Sequence, residues 1–140
     1  MYRATKKRRH ARLACLIAAL CATTVAHADL IVVVGASSSA AGMGKEQIAD
    51  IFLGKSTALT PMDQVESSPL REEFYTKVTG KSAAQAKAIW SKLAFTGKGT
   101  PPKEGANSAE SKKALAANPN MVGYIEKSAA DSSVKTLLAP

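Results

Sequence analysis

Leu30-Ile-Val-Val-Val34, closed by Gly35, is the stretch that decides the fold. Its five residues are all apolar, and four of them are β-branched. A strand that is apolar at every position, and not only at alternate positions, is typical of a central strand covered on both faces. The run therefore predicts a sheet with helices packed on both sides.

The sequence after this strand alternates between helical and extended patterns. Helices are predicted over 45–53, from Ser68 to Gly80, from Ser82 past Leu93, and over about 108–117. Strands are predicted over 58–62, 121–125 and 134–138, and the Gly- and Pro-rich segment 96–107 is predicted to be a loop. This alternation indicates one layered α/β domain with a mostly parallel sheet flanked by helices.

Two of the helix starts carry recognisable capping residues. Ser68 is a good N-cap with Pro69 as the first helical residue, and Ser82 with Gln85 forms a capping box. The aromatic residues of these two helices lie on apolar stripes and are expected in the core; they are Phe74, Tyr75, Trp90 and Phe95.

The segment before the strand has the pattern of a secretory signal peptide. Residues 1–12 contain six basic residues and no acidic ones, residues 13–22 are apolar, and Ala26-His27-Ala28 is a small-residue cleavage site. We therefore expect cleavage after Ala28, a domain over residues 29–140 and a periplasmic location. The apolar run is too short for a stable membrane span, so no span is expected after cleavage.

The composition of residues 29–140 narrows the function. The leader holds six of the 19 basic residues and none of the 11 acidic ones, which leaves 13 basic and 11 acidic residues and a net charge of +2. Such a balance gives no basic stripe for nucleic acid. Both Cys and both His also fall before residue 29, which removes thiol and histidine catalysis and ordinary zinc sites. We expect no enzyme activity, cofactor or metal.

Ser37, Ser38 and Ser39 are the first candidate ligand contacts. They follow the first strand directly, and hydroxyl and backbone N–H groups at the carboxyl end of a strand face the crevice where open α/β sheets bind ligands. The alternative is a solvated Ser-rich loop with no ligand.

Ser68 and Arg71 are the second candidate contacts. A helix start favours an anion, and Arg71 would supply a positive charge one turn further on. The alternative is an ordinary N-cap with Arg71 on the solvent-exposed face of the helix.

An ordered set of motifs resembles a known family. The motifs are Ile48-Ala-Asp-Ile-Phe-Leu-Gly-Lys55, then Asp63-Gln-x-Glu-Ser-Ser-x-x-Arg-x-x-Phe74, Trp90, Phe95-Thr-Gly-Lys-Gly99 and Val122-Gly-Tyr-Ile125. Together they resemble the phosphate-type periplasmic substrate-binding proteins, and most closely the short members that have one lobe.

The resemblance implies the type II periplasmic-binding-protein fold and, in two-lobed relatives, phosphate held by hydroxyls, backbone N–H groups and an arginine for an ABC transporter. Ser68 matches the serine of the family's Gly-Ser-Gly-Thr helix start, and the Ser37–Ser39 loop is compared with the hydroxyl loop after the first strand. This sequence departs from the family's helix start at three positions, Ser67, Pro69 and Leu70. Near the place of the family's usual phosphate-binding arginine it has Asp63-Gln64.

Two functions follow from these observations. The first is a non-enzymatic solute-binding protein that holds a small anion, phosphate by analogy, and serves an ABC transporter. The alternative is a one-lobe interaction module of the cell envelope that has lost phosphate binding and contacts another protein.

Overall fold

A computed structural model describes residues 29–140, and the predicted signal peptide lies outside this range. Within it the strands are β1 Leu30–Gly35, β2 Thr60–Gln64, β3 Lys103–Gly105, β4 Met121–Glu126 and β5 Val134–Leu138. The helices are α1 Lys45–Phe52, α2 Pro69–Phe74, α3 Ala83–Phe95 and α4 Ser108–Ala117, with a π-helical turn over Tyr75–Thr79 and a 3-10 turn over Lys127–Ala129.

The five strands form one mixed sheet in the order β3-β2-β4-β1-β5. β2 pairs in parallel with β3 and β4, whereas β1 pairs antiparallel with both β4 and β5. The predicted α/β sheet flanked by helices is confirmed, but β1 runs against the other four strands. An all-apolar run records burial on both faces and carries no information about strand direction.

The side chains of β1 alternate between two apolar clusters, one on each face of the sheet. Val32 and Val34 pack with residues of α1, α2 and α3. Ile31 and Val33 pack on the opposite face, where Leu115 of α4 covers them. Every residue of β1 is buried, so the strand is central and covered, as its sequence predicts.

The predicted start and end of the second helix are confirmed. Ser68 is the N-cap residue of α2 and Pro69 is its first residue. The helix continues through the π-helical turn to Gly80, whose φ of 70° ends it in a left-handed conformation that glycine adopts without steric cost. α3 then begins with the predicted capping box of Ser82 and Gln85.

Two strands differ from the prediction. β2 extends beyond residue 62 to Gln64, and β3 lies inside the segment that was predicted to be a loop. Both strands are short and polar, so their sequences lack the apolar alternation that marks a strand. The predicted helix over about 108–117 is α4, whose N-cap is Asn107, because Oδ1 of Asn107 accepts from the backbone N–H of Glu110.

The prediction that Phe95 lies in the core is wrong, since the residue is 93% exposed. Trp90 is buried, and its Nε1 donates to the carbonyl oxygen of Phe52 at 2.8 Å. Phe95 lies five residues further along the helix, about 140° around the axis from Trp90, and so falls outside the buried stripe. Across residues 29–140, no helix combines the length and apolarity that a bilayer crossing needs.

Candidate functional site

A buried carboxylate lies at the carboxyl end of β2 and organises the candidate site. The hydroxyl of Tyr75 donates to Oδ2 of Asp63 at 2.6 Å, and the hydroxyl of Tyr124 donates to Oδ1. The backbone N–H of Gln64 also donates to Oδ1, at 3.0 Å. Both oxygens of Asp63 therefore have partners, as a buried carboxylate requires.

Arg71 projects from α2 into this cluster. Its Nη1 donates to the carbonyl oxygen of Gln64 and to Oε1 of Glu104, both at 2.9 Å, and Nη2 lies 3.7 Å from Oδ2 of Asp63. The residue is only 6% exposed, so the alternative that placed it on a solvent-exposed face is wrong. Its Nε is buried and has no hydrogen-bond partner among residues 29–140.

The hydroxyl of Ser68 is used within the protein. It donates to Oε1 of Gln64 at 2.7 Å, and Nε2 of Gln64 donates to the carbonyl oxygen of Tyr124 at 3.0 Å. Ser68 therefore holds the N-cap position without making a side-chain capping bond. An anion at this helix start would have to compete with Gln64 for the hydroxyl proton.

The environment keeps this cluster in defined protonation states. Burial, together with the Asp63 carboxylate, raises the pKa of Tyr75 and that of Tyr124. Burial lowers the pKa of Arg71, but Asp63 and Glu104 outweigh it and raise that pKa above its ordinary value. At neutral pH the tyrosines are protonated donors and Arg71 is a cation.

Two cavities are lined by both Arg71 and Lys87. One has a volume of about 320 Å³ and is also lined by Glu66, Ala83 and Ala84. The other, of about 150 Å³, lies on the side of Asp63, Trp90, Ser91, Pro101, Pro102 and Glu104. Lys87 forms an ion pair with Glu66 at the surface, where both side chains are exposed.

The predicted Ser37–Ser39 loop lies at the other end of the sheet. Val34 of β1 and Pro61 of β2 both pair with Val122 of β4, so these two residues lie at the same height in the sheet. From there β1 and β2 continue in opposite directions. At about 3.3 Å per strand residue, the loop and the end of β2 are separated by roughly 13 Å along the strands. The two predicted groups of ligand contacts therefore do not line one pocket.

Within that loop, the three serines differ in their surroundings. Ser38 is buried; its Oγ accepts from the backbone N–H of Ala40 at 3.2 Å, and its carbonyl oxygen accepts from Nζ of Lys135 at 2.7 Å. Ser37 and Ser39 are exposed. Their role as ligand contacts stays a prediction, and it would belong to a site separate from Arg71.

Sequence reasoning missed the acidic partners of Arg71 and the tyrosine partners of Asp63. Asp63 of β2 is paired with Glu104 of β3. The two carboxylates are neighbours because β3 forms, and this short strand has no recognisable sequence pattern. Tyr124 belongs to both the core and the site, because its ring stacks on Phe74 at a centroid distance of 4.1 Å while its hydroxyl donates to Asp63.

The chemistry of the site is that of ion pairing. Over residues 29–140, no group of three or more His, Cys, Asp or Glu side chains is arranged to hold a metal ion. The cluster combines two cations, Arg71 and Lys87, with the carboxylates of Asp63, Glu66 and Glu104. It can hold charged groups, and within the described part of the chain Nε of Arg71 is a donor without a partner.

Comparisons with known proteins show where this fold recurs. No protein-family model and no curated protein matches the sequence. The structure is similar to an ABC-type phosphate transport receptor from Vibrio cholerae, with a TM-score of 0.61 and 19% identity over 79% of this chain and 45% of that chain. It is also similar to a phosphate ABC transporter substrate-binding protein with bound phosphate from Clostridium perfringens, with a TM-score of 0.63 and 19% identity over 79% of this chain and 44% of that one.

A third solved structure, PstS from Borrelia burgdorferi, has a TM-score of 0.58 and 13% identity over 79% of this chain and 46% of that chain. The chain thus spans less than half the length of each of these three structures. Residues 29–140 have the mixed α/β fold that is found in part of the phosphate-type substrate-binding proteins.

Proposed function

We propose that this chain is an exported, non-enzymatic binding protein that holds a small anion at Arg71. The observation that carries the proposal is the buried Arg71, which lines two cavities together with Lys87 and whose Nε has no partner within residues 29–140. Phosphate is the ligand by analogy, because the similar structure from Clostridium perfringens contains bound phosphate.

The physical chemistry of arginine supports an oxyanion at this place. A guanidinium group presents five N–H donors in a planar fork that matches the oxygens of phosphate or carboxylate. A buried donor without a partner carries a free-energy cost of about 1–3 kcal/mol, and an oxyanion that reached Nε of Arg71 as the site opened would remove that cost. Lys87 would add a second positive charge, and the hydroxyl of Ser68 would add a donor on release from Gln64.

The absence of His and Cys after residue 28 supports a role in binding and not in catalysis. The basic leader and its Ala26-His27-Ala28 ending support export to the periplasm, where a binding protein would serve an ABC transporter. Mass spectrometry of the protein from a periplasmic extract tests the export step. A mature chain that begins at Asp29 is expected, and a protein that keeps Met1 in the cytoplasm would contradict export.

Calorimetric titration with inorganic phosphate tests the binding function. Saturable binding is expected, and Lys87→Ala should weaken it by about tenfold, since each 1.4 kcal/mol corresponds to a factor of ten. Lys92→Ala is the matched control, because Lys92 is an exposed lysine of the same helix that lines neither of these two cavities. Absence of heat at millimolar phosphate, with a folded protein, would rule out the phosphate-binding role.

A second function, an interaction module of the cell envelope, is favoured by a different observation. Arg71 is already bound by Glu104 and lies beside Asp63, and the cluster with Lys87 and Glu66 has one more negative charge than positive. The chain also spans less than half of its structural neighbours. In this function the exposed edge at Ser67, beside the buried Arg71, contacts a transporter or another envelope protein.

Site-specific cross-linking tests the interaction module. A photoreactive residue at the exposed Ser67 should give a discrete cross-linked species in intact cells, whereas one at the exposed Lys113 of α4 should not. Equal cross-linking from both positions would contradict a dedicated surface at the Ser67 edge.

A further inference from the structure

We infer that Glu104 is an internal ligand of Arg71 that an external monoanion must displace. The inference rests on the proposed anion-binding function and adds to it the identity of the competing group and the charge of the ligand. Its basis is the difference between the two carboxylates that face the guanidinium group.

The two carboxylates differ in how firmly they are held. The side chain of Asp63 is 3% exposed, and its oxygens accept from Tyr75, Tyr124 and the backbone of Gln64. The side chain of Glu104 is 45% exposed. Its contact with Nη1 of Arg71 is the one hydrogen bond that its carboxylate makes within residues 29–140. Glu104 can therefore leave Arg71 by entering water, and Asp63 cannot.

The position of Glu104 places its carboxylate where a ligand would enter. The residue lies in the middle of the edge strand β3 and is paired with Asp63 of β2. Its carboxylate contacts Nη1 of Arg71 and lines the 150 Å³ cavity. A rotation about the side-chain torsions moves the carboxylate away from the guanidinium group and leaves the pairing of β3 unchanged. An oxyanion can then take the freed donor.

The charges that remain determine the ligand class. Once Glu104 has moved into solvent, Arg71 and Lys87 face Asp63 and Glu66, and the cluster is neutral. A monoanion brings one uncompensated negative charge into a partly buried site, whereas a dianion brings two, and a buried charge without a partner is costly. The site should therefore prefer the singly charged form of phosphate to the doubly charged form.

Titration of inorganic phosphate into three proteins tests the inference. Glu104→Gln removes the competing charge and should tighten phosphate binding by about threefold to tenfold relative to wild type, the size expected when a half-exposed ion pair no longer competes. Glu46→Gln makes the same charge change on the exposed side of α1 and should leave the affinity unchanged. Circular dichroism of each variant verifies that the fold is retained.

A second measurement tests the ligand charge. The affinity of Glu104→Gln for total phosphate should rise as the pH falls from about 8 to about 6, where more of the phosphate is singly charged. Equal affinities of wild type and Glu104→Gln would overturn the inference and leave the proposed function standing. Absence of binding to both proteins would instead reject the proposed function, and the inference with it.

Discussion

The Tyr75 hydroxyl and the Asp63 carboxylate are joined by a hydrogen bond of 2.6 Å inside the core. Tyr75 lies in the π-helical turn that continues α2, and Asp63 lies near the end of β2. The bond therefore ties a helix to the sheet at the point where Arg71 also enters. The same contacts that orient the candidate site contribute to the stability of the fold, and both effects can be measured.

Tyr75→Phe should lower the free energy of unfolding by about 1–3 kcal/mol, because it leaves Oδ2 of Asp63 without its buried donor. Urea unfolding followed by circular dichroism measures the change. Thr57→Val is the control, since Thr57 is exposed and its hydroxyl makes no hydrogen bond within residues 29–140; a change below about 0.5 kcal/mol is expected there. Equal losses in the two variants would contradict the role of the Tyr75–Asp63 bond.

Asp63→Asn should lower the free energy of unfolding by about 3 kcal/mol, because it removes the buried partner of Arg71 and leaves only the half-exposed Glu104 to balance that charge. Glu104→Gln should lower the free energy of unfolding by about 1 kcal/mol or less. The side chain of Glu104 is 45% exposed, and water screens a half-exposed ion pair. Thermal and urea unfolding of both variants measure the difference. A Glu104→Gln loss as large as that of Asp63→Asn would show that the two carboxylates are held equally firmly.

The protein should lose stability as the pH rises above about 10, the ordinary pKa of tyrosine. Burial and Asp63 raise the pKa of Tyr75 and that of Tyr124 in the folded state, so the folded protein keeps protons that the unfolded chain releases. The stability that this difference in pKa contributes is fully present below about pH 10. Above that pH it is lost at up to about 1.4 kcal/mol per pH unit for each tyrosine.

Urea unfolding at about pH 9, 10 and 11 measures this alkaline loss. Tyr75→Phe should show a shallower decline than wild type, because one of the two groups no longer titrates. All other residues are the same in the two proteins, so the comparison isolates the hydroxyl of Tyr75. Identical slopes would mean that the hydroxyl of Tyr75 does not contribute.

Gly35→Ala should destabilise the protein by about 1–3 kcal/mol, the usual cost of overpacking a core. A Cβ at Gly35 would lie 2.3 Å from the carbonyl oxygen of Leu115, where α4 crosses β1. Gly44→Ala is the matched control, because its Cβ would meet nothing nearer than 3.7 Å. Melting temperatures of the two variants measure the contrast, and a tolerated Gly35→Ala would mean that α4 can shift away from the sheet.

Much of the architecture could be predicted because it depends on local patterns. The all-apolar run from Leu30 predicts a covered central strand, and Ser68-Pro69 and Ser82 with Gln85 mark two helix starts that the structure confirms. Phe95 shows the limit of such patterns, since it follows an apolar stripe and yet is 93% exposed. Whether a residue near the end of a helix is buried depends on what packs against that end.

The candidate site was only half predictable. Arg71 and Ser68 were identified from their place at a helix start, but their partners Asp63, Gln64 and Glu104 come from two strands with little apolar character. Pairing between distant strands assembles these groups, and a polar strand three residues long, such as β3, has no periodicity to detect.

The sequence by itself determined that residues 29–140 form a layered α/β domain without His or Cys, because burial patterns and residue types are local properties. The tertiary structure alone decided the direction of β1, and with it the separation of the Ser37–Ser39 loop from Ser68 and Arg71. It also decided that Arg71 is buried and bound to Glu104. Strand order and direction arise from long-range pairing, which no local pattern encodes.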